Sequence, residues 1–256
     1  MFKIATWNVN SLRARLPHIV EWLTVNQPDI LALQETKVED KDFPYKIFED
    51  LNYQIIYSGQ KSYNGMAIIS KKKAEEIITE NPFFPDVQRR LLAATINNIR
   101  IINLYIPNGE SVGSAKFEYK LQWLEKMQQF LKQELIKYPY LIVLGDFNIA
   151  PEDKDIHDPE IWRGKVLCTE PERFALQAWC NLGLNDSFRL FEKEAGYFSW
   201  WDYRAAGFRR NLGLRIDHIL INQALIPHCQ HCFIDKEPRA WDRPSDHTPV
   251  MAVFNL

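Results

Sequence analysis

Apolar and polar positions along the chain fall into short blocks with two different periods. Phe2-Lys3-Ile4-Ala5-Thr6-Trp7-Asn8-Val9 predicts a strand. Pro17 stands where a helix can start, and Leu16, Ile19, Val20 and Leu23 follow helical spacing around it. Residues 29–34 are a second buried-strand pattern with Glu35 at its end. Residues 53–58 and 66–70 predict a strand pair connected through Asn64-Gly65, and 91–97 with 99–106 predict another, joined at Asn97-Asn98. The longest helix is predicted from Lys116 to Lys137, with an apolar stripe of Phe117, Leu121, Leu124, Leu131 and Leu135 and with Pro139 closing it. Leu141-Ile142-Val143-Leu144 then reads as a strand buried on both faces, ended by Gly145. A shorter helix is predicted over 171–182, with Pro171 early and Gly183 beyond its end, and residues 215–221 and 249–254 read as final strands.

Many short strands, often joined as hairpins, argue against a purely parallel sheet. The order fits an α/β fold of two mixed sheets packed face to face with helices outside. No repeat, low-complexity tract or Gly/Ser linker divides the sequence, so one domain over 1–256 is expected.

Composition narrows the chemistry only a little. A net charge of −2 does not announce a polyanion binder, so any such site must be a local basic patch. No apolar run approaches the ~18 residues of a membrane span. The N-terminus enters a strand-like segment without the blocks of a signal peptide, which reads as cytoplasmic with no membrane partner. Four cysteines suit a reducing compartment; Cys229-Gln-His-Cys232, preceded by His228, lacks a second ligand pair at zinc spacing.

Polar residues at strand ends change the picture more. Asp146 and Asn148 follow the 141–144 strand at alternate positions, which places them on one side of an extended chain. Alone, Gly-Asp-x-Asn reads equally as a turn or a site. Asn8 and Glu35 each end a strand and would share an edge if those strands are parallel neighbours. Asp217 sits inside an apolar strand pattern, where an ionised carboxylate needs a partner. Ser245-Asp246-His247 offers one, and a buried Asp beside a His raises the imidazole and fixes its tautomer. Asn8, Glu35, Asp146, Asn148 and Asp246 are hard oxygen donors that suit Mg²⁺ or Mn²⁺. With an Asp–His pair they provide what phosphodiester hydrolysis needs.

Trp7-Asn8-Val9-Asn10, Leu33-Gln34-Glu35-Thr36, Gly145-Asp146-Phe147-Asn148, Gly213-Leu214-Arg215-Ile216-Asp217 and Ser245-Asp246-His247 occur in this order over essentially the whole chain. In these motifs the chain resembles the exonuclease III family of abasic-site endonucleases, within the wider fold of DNase I-like nucleases and phosphatases. The resemblance implies a four-layer α/β sandwich and a monomer. It implies Glu35 as the main metal ligand, with Asp246 and Asn8 near the same cation and Asp146, Asn148 and His247 close by. The cation would be Mg²⁺, with Mn²⁺ able to substitute. Asp146 would activate the attacking water or protonate the leaving oxygen. Asn148 and His247 would hold the scissile phosphate, with Asp217 orienting His247, and Tyr105 matches the family's active-site tyrosine.

Substrate is not settled by the core motifs, since the fold also hosts phosphatases of small and lipid phosphates. The stretch 200–215 interleaves Trp200, Trp201, Tyr203 and Phe208 with Arg204, Arg209, Arg210 and Arg215. Aromatic faces beside guanidinium groups suit a nucleic-acid backbone and an extruded nucleotide. The resemblance assigns Trp200, Leu214 and Ile216 to a pocket for a flipped, base-free sugar, with Leu214 where some relatives carry a bulky aromatic. That substitution would leave room for 3′→5′ exonuclease activity. Arg13, Arg89, Arg90, Asn108 and Lys116 are candidate contacts to double-stranded DNA with abasic sites or 3′ ends. The expected function is a DNA repair nuclease that cuts 5′ to abasic sites and also processes 3′ ends. The competing readings are a phosphoesterase for a small or lipid phosphate, and a non-catalytic DNA-binding module.

Overall fold

The computed structural model describes residues 1–256, and two six-stranded sheets organise them. The strands are β1 (Phe2–Asn8), β2 (Ile30–Gln34), β3 (Gln54–Ser58), β4 (Met66–Ser70), β5 (Glu75–Ile78), β6 (Leu91–Ile96) and β7 (Ile99–Tyr105). They continue with β8 (Leu141–Asp146), β9 (Leu184–Asp186), β10 (Trp200–Trp201), β11 (Gly213–Leu214), β12 (Asp217–Asn222), β13 (Cys229–Ile234) and β14 (Val250–Phe254). One sheet runs β13-β14-β1-β2-β4-β3, the other β5-β6-β7-β8-β12-β9, and β10 with β11 makes a small ribbon.

Only two pairs are parallel, β1 with β2 and β7 with β8. Parallel neighbours need a crossover, and α1 (Leu12–Asn26) and the long α3 (Ala115–Lys137) supply one each. The inner faces of the sheets share a core of residues such as Ile4, Ile30, Ile68, Ile101, Leu144 and Ile219. Outside it, α1 packs Ile19, Trp22 and Leu23 on the first sheet. On the other side, α3 and α5 (Glu170–Cys180) pack Trp123, Leu124, Phe130 and Trp179 on the second. Four layers result: helix, sheet, sheet, helix. The short helices α2 (Tyr45–Asp50), α4 (Pro159–Trp162) and α6 (Ser187–Phe191) complete the chain.

Several local expectations need correction. Pro17 lies inside α1; the helix starts earlier because Ser11 caps it, accepting from the amide of Ala14, and Leu12 is buried. The buried face of α3 runs through Phe117, Lys120, Trp123, Leu124, Met127, Phe130, Leu131 and Glu134, while Leu121 and Leu135 are half-buried. The two charged residues belong on that face because each has a buried ion partner. Gly145 does not end its strand. It lies within β8 at φ +144°, where a Cβ would meet the Leu104 carbonyl oxygen at 1.9 Å. Cys229 and Cys232 are in strand β13, where Cys232 is buried and receives the Ser187 hydroxyl at 3.2 Å.

Candidate active site

The strands deliver their polar ends to one edge of the two-sheet core. Asn8 closes β1, Glu35 follows β2, Tyr105 closes β7, Asp146 closes β8, Asp217 opens β12, and His247 precedes β14. Glu35 and Asn148 take left-handed backbone angles (φ 52° and 49°), which turn both side chains back toward the edge.

Asn8 stands at the centre. Its amide nitrogen donates to Glu35 Oε1 at 2.8 Å and to Asp146 Oδ2 at 2.9 Å. Asn148 donates to the same Asp146 oxygen at 3.1 Å and, from its backbone, to Oδ1 at 2.9 Å. His247 bridges two carboxylates: Nδ1 lies 2.9 Å from Asp217 Oδ2, and Nε2 lies 3.7 Å from Asp146 Oδ2. Ser199 steadies Asp217, donating to Oδ2 at 2.7 Å while accepting the amides of Ile216 and Asp217.

Electrostatics follow from this crowding. Burial pushes the Asp146 carboxyl up to about 7; His247 opposes the rise and Asp217 adds to it. Burial works against the His247 imidazolium, but Asp217 and Asp146 outweigh it and lift the group to about 10. Tyr105 is raised well above the ordinary phenol, by burial first and by Glu35 second. Burial also opposes charge on Glu35, yet Lys37 and the Asn8 bond hold it below the usual carboxylate range. Asp246 likewise stays low despite burial, because His247, Trp200 and Asn10 favour its anion.

The cation-binding capacity of the edge can be read from its donors. Asp146, Asp217 and His247 lie close enough together to hold a metal ion. His247, however, places Nδ1 within hydrogen-bond distance of Asp217, so this trio has the form of a proton relay. Glu35 and Asp246 supply the other carboxylate oxygens of the edge. Their oxygens are joined through Lys37 and Asn10: Lys37 Nζ is 2.7 Å from Glu35 Oε2 and donates to Asn10 Oδ1 at 2.6 Å, and Asn10 donates to Asp246 Oδ1 at 3.0 Å. A lysine ammonium already rests among these oxygens, and the hard donor set fits a divalent cation. Asn8 and Asn148, expected as ligands, donate their amide nitrogens to the carboxylates, while Asn8 Oδ1 accepts the Asn10 amide and Asn148 Oδ1 accepts from Asn108.

An acidic edge with one imidazole relay, built from motifs spread along the whole fold, matches one family profile: Endonuclease/Exonuclease/phosphatase, over residues 5–247. The chain belongs to this family. Among relatives of the endonuclease/exonuclease/phosphatase family, it is 39% identical to the exodeoxyribonuclease III of Haemophilus influenzae, over 98% of this chain and 99% of the relative. A 3′ phosphatase, NExo, from Neisseria, solved bound to a product DNA hairpin, superposes with a TM-score of 0.99 at 45% identity over the full length of both chains. An AP endonuclease from Archaeoglobus fulgidus superposes at 0.96 with 39% identity, again over both full chains.

The residues expected to meet the substrate divide. Trp200 faces the site, donating Nε1–H to Asp246 Oδ2 at 3.0 Å, and pairs with Leu214 across the ribbon. Leu214 and Ile216 are fully covered in a small cluster with Ala150, Ile156 and Leu167, so they form a floor under Trp200. Arg209 is exposed, as are Arg13, which lies 3.5 Å from Asp42, and Asn108, which donates to Asn148 Oδ1 at 3.1 Å. Arg89, Lys116 and Arg204 are held by Glu80, Glu110 and Asp202. Arg90 lies over the Tyr105 ring, 4.6 Å from its centre, and donates to Gln88 at 2.9 Å. It braces Tyr105. Arg215 is buried, paired with Asp155 at 2.7 Å and Asp186 at 2.8 Å, and Trp201 is buried with it. Neither belongs to an outward basic face.

Sequence reasoning missed Lys37, Ser199 and Lys120, and named Ser245 only as part of its motif. Lys37 lies two residues past Glu35 and could have been weighed with it. Ser245 donates to the Asn8 carbonyl at 2.7 Å, pinning β1 to the Asp246-His247 turn.

Proposed function

We propose that this chain is a divalent-cation-dependent DNA repair nuclease that hydrolyses the phosphodiester 5′ to abasic sites in duplex DNA and also processes 3′ ends. The observation that carries the reading is the Asp146–His247–Asp217 relay set beside the oxygens of Glu35 and Asp246. Binding alone needs no carboxylates facing a phosphate, so a purely DNA-binding role accounts poorly for this edge. The named activities of the Haemophilus, Neisseria and Archaeoglobus relatives support DNA over a small or lipid phosphate.

Glu35 and Asp246 would hold magnesium, with manganese able to substitute. When bound, the cation neutralises charge on a phosphate oxygen. Asp146 takes a proton from a water, which attacks phosphorus; the P–O3′ bond breaks, the departing O3′ takes a proton from solvent water, and Asp146 returns its proton to solvent. The products are a 3′-hydroxyl and a 5′-phosphate on the abasic sugar. His247, kept protonated by Asp217, donates from Nε2 to a phosphate oxygen, where charge grows in the transition state. Asn148 holds the Asp146 carboxylate and the phosphate together. Asp217 fixes the tautomer and orientation of His247.

A second reading weights 3′-end processing more heavily. Leu214 and Ile216 are fully covered beneath Trp200, and the Neisseria 3′ phosphatase is the more identical of the two solved relatives described above. One experiment tests both. Duplexes bearing an internal abasic analogue, a 3′-phosphate or a plain recessed 3′ end are incubated with Mg²⁺ or with EDTA after metal stripping. Incision at the abasic site with Mg²⁺ alone supports the first reading. Removal of 3′-phosphate without incision supports the second, and undiminished turnover in EDTA sinks both.

A further inference from the structure

Helix α3 carries two charges on its apolar face, and they lie at opposite ends. Glu134 pairs with Arg100 at 2.5 Å, far from the site. Lys120 is wholly buried, and its ammonium has three acceptors for three hydrogens: Glu172 Oε1 at 2.5 Å, the Asn148 carbonyl at 2.7 Å and the Asn108 carbonyl at 3.1 Å. Glu172, also wholly buried, accepts the Leu167 amide at 3.0 Å and the Thr169 amide and hydroxyl at 3.0 and 2.6 Å. One ion pair therefore joins three chain segments: the turn after β7, the turn after β8, and the entry to α5.

Two of those segments carry Asn108 and Asn148, whose side chains also meet at 3.1 Å. Asn148 is in the left-handed region, where its amide is held by Asp146 Oδ1 at 2.9 Å and its carbonyl by Lys120. A buried ion pair stabilises no better than an apolar pair of the same volume, and the stability of this fold gives no reason to prefer it. Its geometry gives a reason: three directed bonds fix the two carbonyls relative to each other.

We propose that Lys120 is a positioning residue for the hydrolytic site: it locks the backbones of Asn108 and Asn148 together, so that both side-chain amides meet the scissile phosphate in one arrangement. This rests on the nuclease reading above for what the amides contact.

The test replaces the pair by near-isosteric neutral groups, Lys120→Met with Glu172→Gln, and compares Arg100→Met with Glu134→Gln at the far end of the same helix. The first variant leaves buried carbonyl and amide groups short of partners and is expected to melt lower, so kcat is taken per folded molecule. It is expected to lose about 100-fold in kcat and to change KM for duplex DNA by less than about threefold, since a small misplacement is enough for such a loss. The far-end variant is expected to keep its kcat. Lys120→Gln, which retains two donor hydrogens, is expected to fall between wild type and the Met variant. The side-chain amide NMR signals of Asn108 and Asn148 should shift in the first variant alone, a readout that needs no substrate. Shifted amides with an inactive wild type would retire the nuclease reading and keep the positioning. Unshifted amides, a wild-type kcat in the first variant, equal losses in both pairs, or failure of both Lys120 variants to fold would overturn it.

Discussion

Strand β12 opens with Asp217 and His218, adjacent residues that point to opposite sides and join two buried charge clusters. Asp217 faces the edge, where His247 stands among Asp217, Asp146 and Asp246. His218 faces inward, its ring bonded to the Ile149 carbonyl at 2.9 Å and set 3.1 Å from Arg215, which pairs with Asp155 and Asp186. The inner cluster locks each group in one state. Burial alone would raise Asp155, but Arg215 and Arg189 hold it at about 2; burial and Arg215 together keep His218 below the ordinary imidazole. At the edge, burial raises Asp146 to about 7, with Asp217 adding to the rise and His247 opposing it. Buried charge that is fully paired stays in one protonation state; a buried carboxyl short of cations is ready to exchange a proton.

The largest effect should come from breaking the edge cluster. Asp217→Asn removes the anion that holds His247 protonated and oriented. Turnover is expected to fall about 10³–10⁴-fold, the scale seen when a buried Asp–His pair loses its tautomer control. DNA affinity, measured with cation absent, should change only severalfold. A collapse of binding with turnover per bound complex intact would show that Asp217 acts on the substrate site and not through His247.

Breaking the inner cluster should do the opposite. Asp155→Asn leaves Arg189 and Arg215 short of an anion in a dry place, at a cost of about 3 kcal/mol. The melting temperature should drop by about 10 °C, while kcat per folded molecule moves less than tenfold. The two clusters should also separate in pH. Asp155 titrates lower folded than unfolded, so its contribution, about 2 kcal/mol, is complete above pH ~4 and is lost as pH falls toward 2. Asp146 titrates higher folded than unfolded, so acidification through 7 favours the folded state while it removes the base. Activity should therefore fall between pH 8 and 6 with no loss of melting temperature. A joint fall of both in that window would mean that the clusters are not independent.

Much of the edge was legible because its residues sit in short motifs at strand ends. Glu35 after β2, Asp146 at the end of β8 and Asp217 in an apolar pattern all announce a strand edge or a partner. Two mixed sheets packed face to face followed from hairpin-joined strands for the same reason, since those signals are local, while the four-layer order came with the family resemblance. What stayed hidden depends on partners distant in sequence. Lys120 looks like any surface lysine of a long helix until Glu172 is folded against it. Ser199 has no motif of its own, and Pro17 pointed to the wrong helix start because a serine cap and a buried leucine outweigh one lost hydrogen bond. Leu214 and Ile216 illustrate another limit, since a motif position does not tell how much of a side chain solvent reaches.

The stretch 200–215 repeats the comparison on a smaller scale. Arg204, Arg209 and Arg215 look alike in sequence, interleaved with aromatic residues. Folding turns Arg215 into the inner cluster, ties Arg204 to Asp202 at 2.6 Å, and leaves Arg209 exposed. An exposed arginine on a DNA-facing surface releases about one counterion per phosphate contact. Arg209→Ala should weaken DNA binding severalfold and reduce the slope of log affinity against log salt by about 1. Arg204→Ala should change that slope by less, because Asp202 already offsets its charge and is left behind as an unpaired anion. Salt titrations of the two variants on one duplex measure the difference. If Arg204 gives the larger change, the Asp202 pair opens when DNA arrives, and the basic face is wider than its resting ion pairs suggest.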